Sequence, residues 1–132
     1  MASRFRGRDD RGQALVELAL VLTILLILLL ATVEMGRIGH AYLTVLHASR
    51  EGARLGALGR EDKEIANRVR AAAASIPADT LTIEVSPARG QRFTGEPIEV
   101  TVSHNVHLVV PFISRILPNP FPVTGRTVMR ME

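Results

Sequence analysis

The sequence predicts an α+β chain. A long N-terminal transmembrane helix continues into a small extracytoplasmic domain, which holds a second helix and a roughly three-stranded antiparallel sheet. Three observations carry this prediction. Residues 18–33 (LALVLTILLILLLATV) hold no charge, no glycine and no proline. From residue 34 to 76 the apolar residues recur at helical spacing, with no proline before Pro77. From Leu81 the spacing changes to two, the period of a strand. The chain therefore divides into a basic leader at 1–12, a transmembrane and extended helix at 13–59, and an α+β domain at 60–132.

The leader (MASRFRGRDDRG) has no apolar period and is expected to be disordered. From Ala14 to Val33 the chain is apolar, with Glu17 as its only charge. Twenty helical residues span about 30 Å, the thickness of a bilayer hydrocarbon core. Arg4, Arg6, Arg8 and Arg11 precede this run, and within fifteen residues only Arg37 follows it. That imbalance places the N-terminus in the cytoplasm and the C-terminal part outside it. A cleaved secretory signal fits poorly, because the run is too long and Glu-Met-Gly-Arg follows it in place of an A-x-A-like site.

The helix is expected to continue beyond Val33 to Gly59 on a stripe of Ile38, Tyr42, Val45, Ser49, Gly52 and Gly56. Ala48, Gly52 and Gly56 recur every four residues and leave one face nearly bare. Such a face lets a helix approach closely; the partner is either the second helix of the same chain or a neighbouring subunit. Residues 61–76 read as that second helix, with acidic residues in the first turn and a stripe of Ile65, Val69, Ala72 and Ile76. Leu81, Ile83 and Val85 mark a first strand, Ile98 to Leu108 a long second one, and Val123 to Met131 a third. The proline-rich stretch 111–122 carries Phe112, Ile113, Ile116, Leu117 and Phe121. It is either a contact for a partner or a loop folded over the small core.

Composition narrows the function classes. There is no cysteine, which excludes disulfides and zinc-thiolate sites. The net charge is +3, but the basic residues are spread along the chain, so no nucleic-acid face is expected. No H-E-x-x-H, P-loop, G-x-S-x-G or G-x-G-x-x-G motif occurs, and no small-molecule substrate is expected. His104 and His107 stand at odd spacing in a strand, which points them to opposite faces, and His40 and His47 lie two helical turns apart. No metal, no cofactor and no enzyme activity are expected. Arg50, Glu51 and Arg54 read as ion pairs on the helix surface or between subunits.

Glu17 is the informative residue. A carboxylate in the first turns of a membrane helix is costly and marks a functional candidate. Were the chain cut after Gly12, Gln13 would expose a new α-amino group about one helical turn from Glu17. That cation would pair with its own Glu17 or with a neighbour's. The plain alternative is a Glu that reaches back to water at the start of an ordinary anchor.

Gly12, the run Leu15-Val16-Glu17-Leu18-Ala19, Glu34 with Gly36-Arg37, and Ala48-Ser49-Arg50-Glu51-Gly52-Ala53-Arg54 form a pattern over about residues 12–59. It resembles the TadE-like family of the tight-adherence (Flp pilus) system. The resemblance implies a minor pilin or pseudopilin with a structural role in pilus assembly and surface adherence. A prepilin peptidase, itself an integral-membrane aspartic protease, would cut between Gly12 and Gln13. Glu17 would then stand at position +5 and pair with the new N-terminus. Major Flp pilins carry Tyr or Phe after that Glu and are little more than a helix; this chain has Leu18 and is longer, which favours an accessory subunit. The partners implied are the peptidase, other Tad/Flp pilins, membrane platform proteins and the lipid bilayer. The location implied is the cytoplasmic (inner) membrane, crossed once, with the subunit incorporated into a pilus or priming one. The competing reading is an unprocessed single-pass anchor that displays a small partner-binding domain.

Overall fold

The computed structural model describes residues 6–132. Helix α1 runs unbroken over Arg6–Ala57, and α2 covers Asp62–Ala72. Strands β1 (Leu81–Ser86), β2 (Pro97–Val106) and β3 (Phe121–Arg130) form one antiparallel sheet in the order β1-β2-β3. Register is fixed by pairs such as Ile83 with Val102 and Val102 with Gly125. The α+β prediction holds, down to the second helix and the three strands.

Residues 6–12 correct the expectation of disorder, because they are the first turns of α1; for residues 1–5 that expectation lies outside the described residues. Nucleation is the costly step of helix formation and extension is cheap. The apolar run supplies the nucleus, and arginine is a good helix former. Inside that run, the hydroxyls of Thr23 and Thr32 donate to the carbonyls of Ala19 and Leu28, each at 2.8 Å. The helix thereby satisfies its own polar groups, as a lipid environment demands. The helix is long and apolar enough to cross a membrane, and its most apolar stretch is uncovered by the rest of the protein.

The end of α1 is set by Gly59, whose φ of +70° is open to glycine. Gly59 N–H donates to the carbonyl of Gly56 at 2.9 Å, and Arg60 N–H to that of Leu55 at 3.2 Å. These two bonds are the Schellman pattern that closes a helix C-terminus. Helix α2 stops at Ala72 rather than running to Ile76. Ala73 leaves helical geometry at φ −102°, ψ 34°, and the turn that follows lets Ile76 drop into the core.

The core lies between the second half of α1, α2 and one face of the sheet. Val45, Ala48 and Ala53 from α1 meet Ile65, Val69 and Ala73 from α2, and Val100 and Val102 from β2. The turn at Gly59 is thus a boundary in the chain but not in the packing. Tyr42, read as part of the inner stripe, is instead exposed, and the inner line runs through Ile38, Ala41, Val45, Ala48 and Ser49. The far end of the domain is tied by Arg92. Its nearly buried side chain donates to the carbonyl of Pro87 at 2.8 Å and pairs with Asp62 at the start of α2.

Candidate functional site

Gly12, Gln13 and Glu17 lie on α1 with their side chains, or in Gly12 its backbone, open to the surroundings. A Cβ added at Gly12 would meet nothing within 4 Å. Gln13 and Glu17 are four residues apart on one helix, hence on one face and about 6 Å apart along the axis. The Gly12–Gln13 bond sits inside the helix, so any protease must unwind that turn. A glycine weakens an interior helical turn by about 0.5–1 kcal/mol relative to alanine.

The bare face of α1 is used inside the molecule. A Cβ at Gly52 would stand 2.6 Å from Val69 Cγ2 and 3.1 Å from Val100 Cγ1; one at Gly56 would stand 2.7 Å from Ile98 Cδ1. Ala48 is fully buried beside them. Of the two partners left open by the sequence, the structure supplies the internal one: α2 and β2 fill the space. Glu51 likewise departs from a pairing along its own helix. Both Nε and Nη2 of Arg68 on α2 donate to it, at 3.0 and 2.6 Å. Arg68 holds the Glu51 carboxyl below its ordinary value of 4.5, first through these hydrogen bonds.

Glu34 has a place in the family pattern, but the sequence does not show its role as a buried clamp. It directly follows the apolar run, yet it is 1% exposed. Its Oε2 accepts from the backbone N–H groups of Val109 at 3.1 Å and Val110 at 3.2 Å. Its Oε1 accepts from Nη1 of Arg37 at 2.7 Å, and Nη2 of Arg37 reaches the carbonyl of His107 at 3.3 Å. A single carboxylate thus clamps the chain after β2 onto α1, where the apolar run ends. Charge-assisted bonds of this kind are about twice as strong as neutral ones. A signal was present in the sequence, since Glu34 is in phase with the buried line of Ile38, Ala41 and Val45.

The stretch 111–122 folds over the core. Ile113 is buried, and Phe112, Leu117 and Phe121 pack against its neighbours. The strand alternation expected to set His104 and His107 on opposite faces does not reach His107. β2 ends at Val106, and both histidines line one surface hollow with Arg37, Pro77 and Thr80. His40 lines the adjoining hollow with Arg37 and His104.

No curated protein and no solved structure gives a significant match to the chain. One family does match, and it covers the segment that holds Gly12, Gln13, Glu17, the apolar run, Glu34 and most of the bare face. Residues 12–54 fit the model of the family described as TadE-like protein, the same family that the sequence pattern resembles.

Proposed function

We propose that the protein is a pseudopilin or minor pilin of a tight-adherence (Flp) pilus system, with a structural rather than catalytic role. A prepilin peptidase cuts between Gly12 and Gln13, and the mature subunit stays anchored by α1 in the cytoplasmic membrane with its domain outside. There α1 packs with the helices of other pilins and with the membrane platform. Glu17 pairs with an α-amino group, its own or a neighbour's, and sets the axial register of assembly.

The observation that carries this reading is the uncovered half of α1. Every side chain described from Asp10 to Leu30 is exposed, and from Gly12 onward this half falls inside the family match. A bilayer covers such a surface before assembly, and neighbouring helices cover it afterwards. The unprocessed-anchor reading draws support from the continuity of α1 through Gly12 and Gln13. The two readings differ at Glu17. Replacing it with leucine leaves the new α-amino group without its counter-charge at the start of the apolar run. The Glu17→Leu chain should therefore reach the membrane in normal amount and fail to co-isolate with the other pilins. Unchanged co-isolation and unchanged surface adherence would contradict the proposal.

A further inference from the structure

The loop that Glu34 clamps sits at a defined height relative to α1. β2 passes Gly56 at Ile98 and Gly52 at Val100, so it runs toward the apolar half of the helix. Beyond it, His107 lies beside Arg37, and Val109 and Val110 lie beside Glu34. β3 then returns from Phe121, opposite Val106, to Arg130, opposite Pro97. Residues 107–120 are therefore the end of the domain nearest the apolar run. They reach beyond its end, since Ala31, one turn before Glu34, is half-buried and packs against the core cluster.

The outward side of this loop is apolar where a water-facing loop is ordinarily polar. Val109 is 70% and Ile116 80% exposed. Their neighbours Val110 and Ile113 are already buried, so these two side chains are not needed by the core. Arg115 and His107 are exposed next to them. Apolar tips beside basic groups, level with the end of a membrane span, match the headgroup layer of a bilayer, where apolar tips enter the acyl boundary and arginines meet phosphates.

We infer that residues 107–117 form a collar seated in the lipid headgroup layer of the leaflet from which α1 emerges, with Val109 and Ile116 inserted at the acyl boundary. The inference rests on the reading that α1 spans a bilayer. Its occupant is lipid, because the loop is held at Glu34, directly after the uncovered apolar run. The Glu34 clamp fixes the domain's height and tilt, so the domain stands on the membrane and does not swing from a free helix.

The sequence contains no tryptophan, so single-tryptophan variants of the full chain report one place each. Val109→Trp, Ile116→Trp, Leu25→Trp and Val128→Trp are reconstituted in phosphatidylcholine–phosphatidylglycerol vesicles. The lipids carry bromine either just below the headgroup or near the bilayer centre. Ile116→Trp and Val109→Trp should show blue-shifted emission that is lost with the shallow bromines. Leu25→Trp should lose its emission with the deep ones, and Val128→Trp, at the far end of β3, should keep it in both. If Leu25→Trp is quenched and Ile116→Trp keeps full emission, the collar is overturned and the span stands. Blue-shifted but unquenched emission of Ile116→Trp would mean that a second copy covers the patch, which also overturns the collar. If Leu25→Trp is unquenched, the span reading itself fails.

Discussion

Glu34 and Gly125 do more for this molecule than their types advertise. Glu34 accepts two backbone N–H bonds and one guanidinium bond in a site closed to water. Removing it strands the amides of Val109 and Val110, and hydrogen bonds to charged groups contribute about 1.5–3 kcal/mol each. Glu34→Ala should destabilise the domain by at least that amount, read as a lower urea midpoint in detergent. Gly125 lies where β3 crosses α1. A Cβ there would stand 2.5 Å from Leu46 N and from Val45 C and O, all backbone atoms that no rotamer can move aside. Gly125→Ala should lower the melting temperature, with an overpacking cost of about 1–3 kcal/mol. Gly36 and Gly39 make the contrast, since a Cβ at either meets nothing within 4 Å. Gly36→Ala should leave the domain as stable or raise it by about 0.5–1 kcal/mol through helix propensity.

At the scale of elements, α1 is two helices in one. Its first half shows lipid-like residues to its surroundings, and its second half is a wall of the core. The Glu51–Arg68 pair joins that wall to α2, and the Glu99–Arg126 pair links β2 to β3. Arg68 and Arg126, chiefly through their hydrogen bonds, hold both carboxyls below their ordinary value of 4.5. A carboxyl lowered by folding adds stability above its unfolded pKa and loses it as pH falls through the folded value. The melting temperature should therefore drop on acidification below about pH 4.5. Arg68→Ala should show a smaller drop over the same range than the native chain. An equal drop in both would remove Glu51 from the cause.

For the whole molecule, local periodicity carried most of the fold. The uncharged run, the helical stripe and the alternating Leu81, Ile83 and Val85 each announce an element through nearest neighbours. What stayed hidden depends on distant contacts. The partners of Glu34 are backbone amides 75 and 76 residues away, and an amide has no signature in the sequence. The close approach at Gly125 looks, from sequence, like one weak position in a strand. The bare face of α1 was visible as Ala48, Gly52 and Gly56, but only three-dimensional packing distinguishes α2 and β2 from a neighbouring subunit as its occupant. Residues 6–12 misled for another reason, since their composition conceals how cheaply an adjoining helix extends through them.

The proposed function requires that this chain be made as a precursor and work as a processed, helix-anchored subunit. Intact mass and N-terminal sequencing of the membrane-extracted protein, from cells with and without the prepilin peptidase, test it most directly. The mature chain should start at Gln13, and this form should be lost when the peptidase is missing or Gly12 is replaced by a bulky residue. A chain that still starts at residue 1 or 2 in cells with active peptidase would contradict it and leave the unprocessed anchor as the better description.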